Sequence, residues 1–273
     1  MKISAVIPTT GKRNISKTLK SLNSSTVVPE EIIIVTLDNS SFTGLSSKYK
    51  NVKVINADKA GQVNQRIQGF KIAKGEFILQ LDDDIVLDKK CIRLMLDEIN
   101  NLPNAAISPN VFQSKNNESI FDYKINLKHK IFNLISGLKI NNKQGKITLS
   151  GFESYSQINT DSDLLTQTDW LIGGCVMHHK NNLVLDNYFP FEGKAYSEDL
   201  FHSIELRKKI KLYIHKRASI FLELNEKSSQ WRTFKKDLIK DAQIRKHLVL
   251  KNKLSITRMY FVYLFKIINY FIK

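Results

Sequence analysis

Three consecutive carboxylates, Asp82, Asp83 and Asp84, close the apolar run Phe77-Ile78-Leu79-Gln80-Leu81. A strand can bury Phe77, Ile78, Leu79 and Leu81, but adjacent acids at its tip repel one another unless a positive charge sits there. Hard oxygen donors suit Mg²⁺ or Mn²⁺, and Mg²⁺ is typically held by one or two carboxylates with substrate phosphates completing its shell. The triplet therefore reads as a metal-diphosphate site; the plainer alternative is a solvated strand-to-loop turn. A second acidic pair, Glu198-Asp199, opens a helical stretch over Leu200 to Lys209, where the helix dipole stabilises negative charge. Between the two lies Trp170-Leu171-Ile172-Gly173-Gly174, whose glycine pair lets backbone approach backbone or ligand closely, a bulge or turn being the alternative.

The elements that must position these groups alternate over the first half of the chain. Residues 3–10 read as a buried strand, Asn14 caps a helix running to Leu22, and residues 31–37 form a β-branched strand ending at Asp38. A shorter strand at 52–55 precedes a helix from Gln62 to Ala73, with Val63, Ile67 and Phe70 on its inward face. This order predicts an α/β fold with a parallel sheet and right-handed crossovers, which binds ligands at the carboxyl ends of its strands. Asp38 and the triplet both sit at such ends. Residues 110–162 are polar and lysine-rich with scattered aromatics, as expected of a variable substrate-facing insertion or a small antiparallel sheet.

At 273 residues and 42% hydrophobic, the chain can bury a full core as one globular unit with an appended tail. Its two cysteines, Cys91 and Cys175, are too few for a disulfide framework and read as small buried hydrophobes in a reducing compartment. The opening apolar stretch, Ile3 to Pro8, is too short for a signal peptide, so a cytoplasmic location is expected. A formal net charge of +16 calls for an anionic partner: nucleic acid, an acidic membrane surface or phosphorylated substrates. From Lys235 onward ten Lys/Arg face two Asp. The apolar, aromatic segment from Arg258 to Lys273 falls short of the roughly 20 residues needed to span a bilayer. It suits a helix lying in the interface of an anionic membrane, the alternative being a final helix docked on the protein. No nucleic-acid-binding module is present in the sequence, so no nucleic-acid partner is expected.

Taken in chain order, these pieces resemble the family 2 glycosyltransferases, inverting sugar transferases with a GT-A fold, of the bacterial cell-envelope polysaccharide type. The matching pieces are Val6-Ile7-Pro8-Thr9, Pro29 to Val35 with Asp38-Asn39-Ser40, Gly61 to Arg66 with Gly69 and Ala73 to Glu76, Leu81 to Asp84, Trp170 to Gly174, and Glu198-Asp199. The resemblance implies a mainly parallel central sheet flanked by helices over residues 1–225, with a nucleotide-sugar half at 1–109 and an acceptor half at 110–225. A basic, amphipathic helical extension would follow at 226–273.

The implied chemistry is metal-dependent transfer of a sugar from a nucleoside-diphosphate sugar, a UDP-sugar by preference, to a glycan or lipid-linked acceptor. Pro8, Thr9, Gly173 and Gly174 would line the donor site, Asp38 would bind the base, Asp82 the ribose, and Asp84 with Asp83 the Mg²⁺ or Mn²⁺. Arg66 matches a position near the nucleotide; a solvated helix face is the alternative. Asp199, with Glu198 beside it, would accept the acceptor's hydroxyl proton, while the metal neutralises the departing diphosphate; simple helix capping is the alternative for both acids. Many relatives complete the metal site with a histidine near the end of the domain, where the nearest candidate here is Glu223. His178, His179, His202 and His215 read as surface or structural residues, because adjacent strand residues such as His178 and His179 point to opposite faces. A nucleotidyltransferase of similar fold remains an alternative, although such enzymes carry a glycine-rich basic loop after the first strand and Thr9-Thr10-Gly11-Lys12-Arg13 has one glycine. A basic nucleic-acid-binding protein is the other.

Overall fold

The computed structural model describes residues 1–138, 145–158, 163–222 and 230–272. Strands β1 (Ile3–Thr9), β2 (Glu31–Thr36), β3 (Val52–Asn56) and β4 (Phe77–Leu81) form a parallel half-sheet in the order β3-β2-β1-β4. Their near-continuous apolar runs follow from burial on both faces; every residue of β1 and β4 is buried. Helices α1 (Ser16–Asn23), the short α2 (Leu45–Lys48) and α3 (Gln62–Ile72) make the crossovers. Asn14 Oδ1 accepts from Ser16 N–H at 2.9 Å, tying down the first turn of α1. Pro8 lacks an N–H but lies past the last residue of β1 that pairs with β4, Val6 opposite Gln80, so it removes no bond from that ladder.

Beyond β4 the sheet becomes mixed. It continues through β5 (Ile85–Leu87), α4 (Cys91–Ile99), β6 (Ala105–Gln113), α5 (Leu127–Ser136), β7 (Leu165–Thr168), β8 (Cys175–His179), α6 (Glu198–Arg207) and β9 (Lys211–Leu222). The spatial order is β3-β2-β1-β4-β8-β6-β9-β5, with β7 also on β9. β8 runs antiparallel to β4 and β6, while β6 and β9 are parallel. Two long strands, β6 and β9, escaped the sequence pattern because Pro109-Asn110 interrupts one of them. A bulge absorbs the interruption: Pro109 pairs with His215 and the next residue with Ser219. His215 Nδ1 accepts from the N–H groups of Arg217 and Ala218 at 3.1 and 3.0 Å, satisfying donors that the bulge takes out of the ladder.

His178 is buried against Phe70 and His202, whereas His179 lies against Phe77 with its ring nitrogen 3.0 Å from Ile99 O. The two therefore face opposite sides, and burial pushes His178 down and His202 down to about 3. Cys91 and Cys175 are buried and unbridged. The 110–162 stretch holds the end of β6, α5 and two isolated antiparallel bridges, Phe112 with Ser119 and Ile147 with Glu153, rather than a sheet of its own among the described residues.

α7 (Trp231–Lys251) and α8 (Ile256–Phe271) pack on this body through one face each. Ile244 and Leu248 join Trp170, Tyr188, Phe189, Leu200 and Phe201; Val249, Met259, Val262 and Tyr263 close over Phe152. Arg245, 4% exposed, lies 3.8 Å above the Phe152 ring and donates to Gly151 O at 2.6 Å and Ser197 Oγ at 2.5 Å. Docking thus accounts for the inner face of the tail. No helix among the described residues is long and apolar enough to cross a membrane.

Candidate active site

The sheet order brings the carboxyl ends of β1, β2 and β4 together. β8, running antiparallel to β4, begins beside them. Asp82 N–H donates to Gly174 O at 2.8 Å, and Gln80 Nε2 donates to Gly173 O at 2.5 Å, so the glycine pair is stitched to the acid-bearing end of β4. A Cβ on Gly173 would overlap Asp199 Oδ1, and one on Gly174 would come within 3.6 Å of Asp82 Oδ2. Gly173 is what allows the first turn of α6 to come so close to this loop, whereas a Cβ at Gly174 would meet only ordinary contacts.

Arg66 joins the two acidic groups. Only 1% exposed, its guanidinium donates to Glu198 Oε1 at 2.7 Å, Tyr188 OH at 3.2 Å and Asp82 Oδ1 at 3.3 Å. The solvated-face alternative for Arg66 is thereby corrected: α3 turns this residue into the protein, where two carboxylates neutralise it. Tyr188 OH also donates to Glu198 Oε1 at 2.5 Å and the Tyr188 ring stacks on His202 at 4.8 Å. Glu198, 3% exposed, thus accepts from two donors on its Oε1. Gln62 Nε2 donates to Asp82 Oδ1 at 2.9 Å. Burial pushes Asp82 up to about 6, opposed by Arg66 and reinforced by Glu198 and Asp84. Asp199 is raised well above the usual carboxylate range, first by burial and then by Glu198 and Asp82, with Arg66 and then the Gly173 N–H acting against the shift. A carboxylate whose proton affinity is raised in this way is a stronger base than an ordinary one.

The other two acids face the loop after β1. Asp83 Oδ2 accepts from Thr9 Oγ1 at 2.6 Å, and its backbone O accepts from Thr18 Oγ1 at 3.0 Å. Arg13 reaches over both acids, 3.2 Å from Asp83 Oδ1 and in direct contact with Asp84. Reading the sequence missed Arg13 as a site residue; the available clue was a cation just after β1, whose end must adjoin that of β4 in a parallel sheet. Asp38, exposed at the end of β2, accepts from Ser40 N–H at 2.9 Å, and hydrogen bonding to Ser40 holds its carboxyl below the usual range. Gly11, at φ +78°, folds the β1 loop back toward Thr36 and Asp38.

No three His, Cys, Asp or Glu side chains among the described residues converge into a complete metal cage, and Glu223 lies outside the described residues. What is present fits a hard divalent ion bound jointly with phosphates: two carboxylates at the open end of β4, drawing the Arg13 cation between them.

The model of the family described as glycosyl transferase family 2 matches residues 4–158. The chain belongs to that family. Among solved structures, this glycosyltransferase is similar to GalNAc-T7 crystallised with UDP, GalNAc and Mn²⁺, at 14% identity and a TM-score of 0.61, covering 83% of this chain and 44% of that one. It is similar also to residues 1–349 of S. aureus TarS, at 17% identity and a TM-score of 0.52, covering 89% of this chain and 64% of that one; a second TarS structure holds UDP-GlcNAc. At these identities the likeness is one of fold, a GT-A-like mixed sheet with flanking helices. The chain spans roughly half to two thirds of the length of these neighbours. No curated protein matches it.

Proposed function

We propose that this family 2 glycosyltransferase is a metal-dependent, inverting enzyme that takes a UDP-sugar as donor. The observation that carries the reading is the convergence, at one end of the sheet, of the Asp82–Asp84 triplet and Asp199 across the Gly173-Gly174 gap. Asp38 binds the base at the end of β2, with Pro8 and Thr9 at the neighbouring strand end, and Asp82 binds the ribose. Asp83 and Asp84, with Glu223 as a further ligand, hold Mg²⁺ or Mn²⁺. When bound, the metal offsets negative charge on the departing diphosphate. The acceptor oxygen attacks the anomeric carbon from the face opposite the diphosphate, forming one bond as the other breaks, and its proton passes to Asp199. Glu198 is engaged with Arg66 and Tyr188, which favours Asp199 as the base and gives Glu198 the task of orienting its surroundings. Structures of the fold neighbours with UDP, UDP-GlcNAc and Mn²⁺ support the donor class and the metal.

We take residues 1–225 as the catalytic unit, its donor half at 1–109 and acceptor half at 110–225, and residues 226–273 as an extension. The acceptor is a cell-envelope glycan or lipid-linked intermediate, met at the inner face of the membrane, to which the basic C-terminal helices draw the enzyme. Calorimetry with UDP and Mn²⁺ tests the site. The parent protein binds UDP only with metal, and Asp84→Ala and Asp82→Ala lose that binding while remaining folded; unchanged affinity in both variants removes the metal-diphosphate reading.

A further inference from the structure

The outward arc of α8 carries Tyr260, Phe261, Leu264, Ile268, Phe271 and Ile272, all exposed. No charged residue interrupts it, because Arg258 and Lys266 lie outside the arc: Arg258 donates to the carbonyls of Leu134 and Ile135, and Lys266 sits over the Phe152 ring on the docked face. An exposed apolar stripe of this length on a helix end that is otherwise well packed marks a contact surface.

α5 extends it. Leu127, Ile131 and Leu134 recur at helical spacing and face outward, Leu127 and Leu134 at 71% and 70% exposed. The C-terminal end of α5 is joined to the start of α8 by the Arg258 bonds and through Leu149, itself exposed, whose carbonyl accepts from Ser255 N–H at 2.7 Å and whose side chain lies against Gly137. Around this apolar surface positive charge predominates, although Asp122 before α5 is exposed and Asp237 on α7 half-buried. Residues 123–138 and 256–272 contain no Asp or Glu, while Lys124, Lys128 and Lys130 lie in or just before α5. On the neighbouring α7, Trp231, Arg232, Lys235, Lys236 and Lys240 line a groove of about 580 Å³.

We infer that α5, Leu149 and α8 together form one membrane-docking surface for anionic phospholipid. The inference rests on the peripheral-membrane reading above and deepens it by placing part of the contact in the 110–162 segment, far from the C-terminus in sequence. Apolar side chains enter the headgroup boundary while the lysines meet lipid phosphates. The excess of positive charge on this face favours a lipid surface over an identical copy, whose own excess would repel it.

The test is co-sedimentation of the full chain with vesicles of phosphatidylcholine alone and of phosphatidylcholine with phosphatidylglycerol. The parent binds the anionic vesicles in preference. Leu127→Asp/Leu134→Asp in α5 and Phe261→Asp/Leu264→Asp in α8 each lower binding roughly tenfold or more, and both keep the parent's melting temperature and UDP affinity in the presence of Mn²⁺. If the α5 variant sediments like the parent while the α8 variant does not, the two-helix surface is overturned and the tail alone is the anchor. Equal binding to both vesicles overturns recognition of anionic lipid. A parent that ignores vesicles and forms a dimer broken by the α5 variant makes a second copy the occupant, overturning both this inference and the membrane reading. UDP affinity, measured separately, reports on the catalytic reading whichever way the vesicles fall.

Discussion

Replacing Arg66 by Met is the sharpest perturbation of the joint between the donor acids and the catalytic helix. Methionine retains much of the aliphatic stem but deletes the guanidinium that faces Glu198 at 2.7 Å and Asp82 at 3.3 Å. Were the pair at the surface, its loss would cost at most about 1 kcal/mol. With Arg66 and Glu198 at 1% and 3% exposure, the variant instead leaves an uncompensated carboxylate inside the protein, which costs about 3–5 kcal/mol. Tyr188 OH still donates to Glu198, so the loss falls toward the lower end of that range. Adding Glu198→Gln removes the stranded charge and keeps an acceptor for Tyr188. The double variant is therefore less destabilised than the sum of the single ones, with a coupling energy of about 1.5–3 kcal/mol. Urea unfolding followed by circular dichroism, read at constant m-value, measures all four corners of the cycle. An Arg66→Met protein within about 1 kcal/mol of the parent, or losses that simply add, would refute the claim that a buried ion pair joins these two segments.

Asp199→Asn keeps UDP-sugar affinity and loses turnover by roughly 10²–10⁴-fold in steady-state assays; a variant as active as the parent returns Asp199 to a capping role. Because the base must be deprotonated and burial beside Glu198 and Asp82 raises its pKa, kcat of the parent climbs with pH along an acid limb above the ordinary carboxylate range, and a limb within that range contradicts the assignment. Arg13→Ala frees Asp83 and Asp84 from their cation, so Mn²⁺ alone binds up to about fivefold more tightly by calorimetry, the scale set by an exposed ion pair of at most about 1 kcal/mol; weaker Mn²⁺ binding would show that Arg13 supports the metal rather than competing with it.

The parallel half of the sheet was legible in the sequence because its strands are buried on both faces and their apolar runs need no partner to be recognised. The strand ends were legible with it, which located the triplet and Asp38, and the first turn of α6 located Glu198-Asp199. β6 and β9 were not, since Pro109 is tolerated only through a bulge that depends on the partner strand. The amphipathic tail was visible, but that its inner face would close over Phe152 and hold Ser197 through Arg245 was not. Nor was the division of labour within the acidic pair. Glu198 is bound by Arg66, 132 residues away, and Asp83 and Asp84 are neutralised by Arg13, 70 and 71 residues away. Local pattern determines which face of an element is apolar and where it ends. Which charge lies against which depends on which strands become neighbours, β1 with β4 for Arg13 and the acids it meets, and that pairing is decided by long-range packing that no local window of sequence contains.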